Sequence, residues 1–392
     1  MKEVYIVSAQ RTPMGSFGGM LSSLSAPSLG ATAIKAALKK ANVDANYVDE
    51  VFMGNVCSAN LGQAPAKQAS LGAGIPNTVP ATSVNKVCSS GMKSIMFAAQ
   101  SIQLGQAEIV VAGGMESMSN IPYYLPKVRW GLKFGSAEMV DGLQKDGLSD
   151  AYDHQAMGIS ADNTAKKYSF TREEQDEFAI NSYKKAAAST EAGKFAEEIA
   201  PVSIPQRKGD PVIMTEDEEY KNVRFEKIPS LRPAFSKDGT VTAANSSTIN
   251  DGASALILAS EEAVKKFGLK PIARIVSYAD ASHEPTWFTT APTLAAPKAL
   301  KRAGLTKNDM DLYEVNEAFA VVTMAFNKEL EIDPTKVNIN GGAVALGHPL
   351  GSSGSRITTT LIHSLGEQKG KYGCATLCNG GGGASAIIVE RL

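Results

Sequence analysis

Residues 340–355, NGGAVALGHPLGSSGS, set five glycines around His348, one of only four histidines in 392 residues. An imidazole framed by bare backbone is open to the reactive end of a bulky ligand, and Pro349 pushes the His348 backbone out of the helical region into a turn. Two cysteines have comparable settings. Cys88, in NKVCSSGMKS, stands where a strand or loop gives way to a helix, and the positive end of the helix dipole favours thiolate there. The Ser-Ser-Gly that follows lets backbone approach a ligand closely. Cys378, in ATLCNGGGGASA, ends a strand and precedes Gly380 to Gly383, whose N–H groups no side chain obstructs.

The other thiols and imidazoles lack these settings. Cys57 and Cys374 read as structural, His363 as a helix histidine satisfied locally, and His154 and His283 as surface residues of polar loops. Zinc is disfavoured because no CxxC or HxxxH spacing occurs. GHPLGSSGS is glycine-rich but has neither GxGxxG nor a terminal Lys-Ser/Thr, so a nucleotide loop is disfavoured too. Nucleophilic catalysis by cysteine with histidine as base is the best physical reading. Asn316, in EVNEAFA, ends a strand and can hold a water or an oxyanion, although spacing alone leaves it a turn former.

These residues need a scaffold, and the chain is long enough for two or three domains. Lys plus Arg number 39 against 40 Asp plus Glu, a balance that argues against a nucleic-acid binder. No apolar run reaches the ~18 residues of a membrane span. The start, MKEVYIVSAQRTP, has the character of neither a signal nor a transit peptide, and the end, IIVERL, is not a peroxisomal tail. A cytoplasmic protein is expected.

Strand-like VYIVSA, EVFMGNV and AEIVVAGG alternate with helix-like GATAIKAALKKA and GMKSIMFAAQSIQLG over the first 115 residues. From 271 onward PIARIVSYA, DLYEVNEA, GCATLCNGG and SAIIVERL alternate with GSRITTTLIHSL. The pattern predicts an α/β layer structure with much parallel pairing. Ser89-Ser90-Gly91 and Ser352-Ser353-Gly354 each open a helix followed by a glycine-ended strand. Two α/β segments rhyme this way by chance, or else the architecture is doubled with its helix starts face to face. Residues 120–248 differ in texture. A long polar helix starts at Thr171 with Glu174 as capping-box partner, and Arg224, Lys227 and Arg232 follow a charged run. The segment predicts an insertion or lid between the halves.

NKVCSSGMKS, VAGGMESMSN, GTVTAANSSTINDGA, EVNEAFA, NGGAVALGHPLGSSGSR and CNGGGGASA, in that order, resemble the thiolase family, closest to its short-chain acetoacetyl-CoA type. The resemblance covers essentially the whole chain. It implies the thiolase fold, an α/β architecture of two duplicated five-stranded α/β/α core halves with an inserted loop domain. The halves would be residues 1–119 with 249–270, and 271–392, and the CoA-binding loop domain 120–248. The activity implied is Claisen condensation of two acetyl-CoA to acetoacetyl-CoA and CoA, and the reverse thiolysis. Cys88 would carry the acetyl group, His348 would take its proton, and Cys378 would deprotonate the second acetyl group. Asn316 would hold a water that completes one oxyanion site with His348, and the N–H groups of Cys88 and Gly380 would form the other.

Further positions carry over from the resemblance. Asn222, Val223, Arg224 and Lys227 would lie at the nucleotide end of CoA and Ser247 at pantetheine, with Leu148, Met157, Phe235 and Phe319 lining the tunnel. Potassium, which stimulates some members, would bind through Tyr183, Ala243, Ala244, Ser246 and Val344; the chemistry requires no cofactor. Ala156 departs from the histidine that many relatives carry, and Ser246 stands where alanine is common. A homotetramer, a dimer of dimers, is implied. Two alternatives remain. One is a broad-range 3-ketoacyl-CoA thiolase, against which the bulk of Trp287 and Phe288 over the acyl pocket counts. The other is a non-catalytic lipid-carrier relative, which would be expected to lose Cys88, His348 or Cys378.

Overall fold

The computed structural model describes Lys2 to Leu392. The chain opens with β1 (Val4–Arg11), the two-residue β2 (Gly15–Ser16), α1 (Ala26–Ala41), β3 (Glu50–Gly54), α2 (Pro65–Gly72), β4 (Ala81–Val84), α3 (Ser90–Gln103) and β5 (Ile109–Ser117). Next come two small ladders, β6 (Tyr123–Tyr124) with β7 (Val140–Asp141) and β8 (Val202–Ile204) with β9 (Val212–Met214). Between them lie α4 (Met157–Tyr168) and α5 (Arg172–Glu191). The main sheet resumes with β10 (Asn250–Ser260), α6 (Glu261–Phe267), β11 (Ala273–Ser282), α7 (Pro292–Ala303), β12 (Leu312–Val315), α8 (Ala320–Leu330), the short α9 (Ala343–Leu346), α10 (Leu350–Gln368), β13 (Tyr372–Asn379) and β14 (Gly383–Arg391).

The strands form two groups, β4-β3-β5-β10-β1 and β11-β14-β13-β12. They meet edge to edge where β1 pairs β11, Tyr5 opposite Arg274 and Ile6 opposite Ala273. Parallel pairing is confined to β3 with β4, β3 with β5 and β12 with β13, less than the alternation predicts. The reason is local: only a few glycines join β13 to β14, and so short a link permits an antiparallel pair alone. The second half has four strands where five are expected. Its fifth position holds a single parallel bridge, Tyr313 to Val337, because Asn338 turns left-handed at φ 47° and ends the extended run.

Helices α3 and α10 pack on each other between the two half-sheets, so the equivalent helix starts do face one another. Backbone contact there requires glycine. A methyl group on Gly54 would lie 2.6 Å from both Gly351 O and Gly91 N, and one on Gly354 2.4 Å from Met92 N. Apolar residues of both helices, among them Met92, Ile95, Ile357 and Leu361, form a central core with strands from each half. Helices α1 and α2 cover the outer face of the first half and α7 that of the second.

The capping box at Thr171 and Glu174 is present at the start of α5. Fully buried Arg11 of β1 ties the 192–220 region to the sheet, donating to both Asp217 oxygens at 2.6 and 2.9 Å and to Glu198 at 2.5 Å. Removing one partner of such a buried cluster costs about 3–5 kcal/mol.

Candidate active site

Cys88 owes its position to a strained elbow. Val87 adopts φ +49°, unfavourable for a β-branched residue. The Asn85 side chain accepts from Val87 N–H, while Ser90 Oγ donates to Val87 O and accepts from Lys86 N–H. The turn presents Cys88, just before α3, to a cavity of about 600 Å³.

His348 arrives from the other half. Its N–H donates to Asn250 Oδ1 at 2.9 Å. The left-handed turn before it, Gly347 at φ +102°, leaves no room for a side chain against Asn250. Ser353 Oγ donates to Pro349 O at 2.9 Å and lies 2.5 Å from His348 Nδ1. With its proton committed, Ser353 accepts from Nδ1–H, which leaves the Nε2 lone pair free as a base. Asn316 Nδ2 lies 3.4 and 3.5 Å from the two ring nitrogens, and its buried Oδ1 has no protein partner among the described residues.

Burial decides the protonation states. The Cys88 thiol is pushed up to about 12 by desolvation, against which the N–H groups of Gly380 and of Cys88 itself, and the Lys86 ammonium, work in the opposite direction. Desolvation therefore outweighs the pull of the helix end, and Cys88 rests as a thiol whose proton His348 can take. Burial, with Arg356 adding, pushes His348 down to about 3, so the ring is neutral. Cys378, fully buried at the end of β13, is raised well above the ordinary range by desolvation and then by Cys88, a neighbour close enough to oppose a second thiolate. The site thus holds two neutral thiols, a neutral base and two N–H groups converging on Cys88. It can pass a proton from sulfur to imidazole and hold a developing oxyanion.

The cavity gathers most of the expected positions. Cys88, His348, Gly380, Leu148, Met157, Phe235, Phe319, Asn222, Ser247, Ala243 and Ser246 line it. Cys378 sits just behind the wall, in an apolar cluster with Phe288 and Phe319 and with Met157 packed against it. Val223 turns away to pack on the cluster of Tyr183 and Val344, and Arg224 and Lys227 stand exposed outside the lining. Ala244 is buried in the neighbouring loop and does not line the cavity. Phe288 lines the pocket as expected, but Trp287 does not; it stacks under Lys167 of α4, 4.5 Å from the ring centre. His283 is half-buried rather than a surface residue, because its ring nitrogen bonds Trp287 O at 2.6 Å and closes that turn. His154 is exposed, and His363 meets Ala9 O at 2.9 Å. Sequence reasoning missed Ser16, Phe17 and Glu219 at the cavity; only the glycine-rich loop after β1 hinted at the first two.

Tyr183 of α5 and Val344, two of the positions expected for potassium, share one buried cluster. Asn245, within the 243–246 loop, donates to Asp176, and Ser182 accepts from Gly342 N–H beside Val344. Burial and the nearby Glu219 and Glu317 carboxylates raise the Tyr183 phenol, so the surroundings are electronegative. A phenol oxygen in such a place is a donor of the kind that suits a hard monovalent cation.

Fold and pocket together define a doubled α/β enzyme equipped for acyl transfer through cysteine. The model of the thiolase N-terminal domain matches residues 4–262 and that of the C-terminal domain residues 269–391. The chain is 57% identical to the acetyl-CoA acetyltransferase of Schizosaccharomyces pombe, covering 100% of this chain and 99% of that protein. It is 55% identical to a protein of Gibberella zeae named acetyl-CoA acetyltransferase ERG10, cytosolic, covering 99% and 98%. Among solved structures, the Acat5 thiolase from Ascaris suum in complex with coenzyme A superposes with a TM-score of 0.95 at 50% identity, covering all of both chains. The chain belongs to the thiolase family.

Proposed function

We propose that this enzyme is an acetyl-CoA C-acetyltransferase, joining two acetyl-CoA into acetoacetyl-CoA and CoA and running the reverse thiolysis. The observation that carries it is the convergence of Cys88, neutral His348 and the Gly380 N–H on one cavity, with Cys378 immediately behind. His348 Nε2 takes the Cys88 proton as sulfur attacks the thioester carbonyl, and the Cys88 and Gly380 N–H groups receive the oxyanion. CoA leaves as a thiol, taking the Cys378 proton and leaving that cysteine a thiolate, with acetyl on Cys88. A second acetyl-CoA then enters with its carbonyl oxygen toward His348 and a water held by Asn316. The Cys378 thiolate removes an α-proton, and the carbanion attacks the acetyl-enzyme to form acetoacetyl-CoA as Cys88 leaves and recovers its proton from His348. A carbon acid this weak needs its enolate charge absorbed as it forms, which is why two oxyanion sites are required.

Residues 120–248 act as the CoA-binding unit. Arg224 and Lys227 meet the nucleotide end by moving onto the phosphates, Asn222 and Ser247 already line the path, and Val223 supports the wall from behind. Tyr183 and the carbonyls of Ala243, Ala244, Ser246 and Val344 would hold potassium, which would supply a fixed charge ordering this unit against the core. A homotetramer in the cytoplasm is the proposed form, the compartment supported by the cytosolic name of the Gibberella relative. Phe288 and Phe319 at the acyl end support short chains. Kinetics with acetoacetyl-CoA against longer 3-ketoacyl-CoAs test this: kcat/KM should fall steeply with chain length, and a flat profile overturns the short-chain assignment in favour of a broad-range thiolase.

A further inference from the structure

Lys86, two residues before Cys88, reaches across the seam between the halves. Its Nζ donates to Asn379 Oδ1 at 3.1 Å and to Ser385 Oγ at 3.0 Å, with Asp280 Oδ1 at 3.2 Å. The same Asn379 oxygen accepts from Ser89 Oγ at 2.9 Å. One side-chain oxygen is therefore held from both flanks of the nucleophile. Asn379 itself separates Cys378 from Gly380, and its Nδ2 donates to Gly380 O at 2.7 Å. It is 5% exposed, and on one side a methyl group on Gly383 would already lie 2.6 Å from its Nδ2, so the side chain is confined. The titratable groups facing Lys86 are Asp280 of β11, Lys93 of α3 and the Cys88 thiol; Asp280 is fixed in turn by Lys93 at 2.7 Å and Ser385 at 2.6 Å.

The need for such a fastening is evident in the loop. Gly380 to Gly382 have no side chains, and Gly381 and Gly382 run at φ +80° and +81°, so nothing within the loop itself holds the Gly380 N–H in place. We propose that Lys86, Asn379 and Ser89 form a clamp across the two halves that sets the distance between Cys88 and the Gly380 N–H. Lys86 and Asn379 are thus positioning residues for acylation. The inference rests on the reading of Cys88 as the acylated nucleophile.

The experiment measures the single-turnover rate of Cys88 acetylation by labelled acetyl-CoA in the full-length enzyme, alongside CoA affinity. Asn379→Ala and Lys86→Met should each slow acetylation by about 10–100-fold, the scale of a misplaced donor, with CoA affinity little changed. Lys86→Arg should recover most of the rate. Alkylation of Cys88 by iodoacetamide, which needs no oxyanion site, should stay near wild type in Asn379→Ala. Faster alkylation together with slow acetylation would mean general loosening and would overturn the proposal, as would wild-type acetylation in both variants. Cys88→Ser is the separate control: if it still turned over, the nucleophile assignment would fall, whereas loss of activity there with unaffected clamp variants would sink the clamp alone.

Discussion

Gly114 lies in β5 opposite Ser254, where a methyl group would sit 1.9 Å from the Gly351 carbonyl oxygen and 2.8 Å from its carbon. Both are backbone atoms in the first turn of α10, three residues beyond His348, so no side chain can swing aside. A carbon–oxygen contact settles at about 3.3 Å. In Gly114→Ala the start of α10 therefore retreats by roughly 1 Å, a misplacement worth about 100-fold in rate when it reaches a catalytic group. Overpacking of this kind also destabilises by about 1–3 kcal/mol. The assay is kcat for acetoacetyl-CoA thiolysis with the urea midpoint measured in parallel. Gly366→Ala is the control: the site is exposed in the last turn of the same helix, with nothing within 4 Å of the new methyl. It should keep full activity and gain about 0.5–1 kcal/mol. Wild-type kcat in Gly114→Ala would refute the claim that this glycine contact registers His348.

Cys378→Ser should still form acetyl-enzyme on Cys88 but lose α-proton exchange, with turnover down by about 10²–10⁴-fold; label trapped on Cys378 in the wild type would reverse the roles. Burial holds folded His348 at about 3 while an unfolded histidine titrates near 6.5, so protons favour the unfolded state and stability is lost as pH falls below about 6.5. Acetylation should accordingly lack an acidic limb at that pH, and a limb there in kcat/KM would contradict the neutral-imidazole mechanism. Replacing Arg224 and Lys227 together by Ala should raise KM for CoA and weaken its salt dependence while kcat changes less; an unchanged KM makes them merely solvated. Potassium should stimulate over sodium at matched ionic strength, and Tyr183→Phe should abolish the difference; equal activity in both salts counts against the site.

The parts legible in sequence were those whose signal is local. Cys88, His348 and Cys378 stand at element ends marked by glycine and proline, and the strands and helices around them follow from periodicity over a few residues. The partners that complete the site are not local. Lys86 and Asn379 lie 293 positions apart, and only the folded seam makes them neighbours. Ser353 lies five residues from His348, yet its role depends on Pro349 O taking its proton. A helix end is visible in sequence whereas depth is not, so the raised Cys88 thiol was not legible there. The left-handed Val87 was not legible either, since nothing in a valine announces such a turn.

The pairing of β1 with β11 has a consequence for the open edges of the sheet. An unpaired strand presents a row of free N–H and C=O groups, a template for unwanted association. Here β1 and β11 pair at only two positions, Glu198 and Ala200 bond the far end of β1, and the outer limits of the sheet, β4 and β12, are only four residues each. With both halves on one chain, β11 is always at hand to pair with β1, an intramolecular encounter that does not depend on protein concentration.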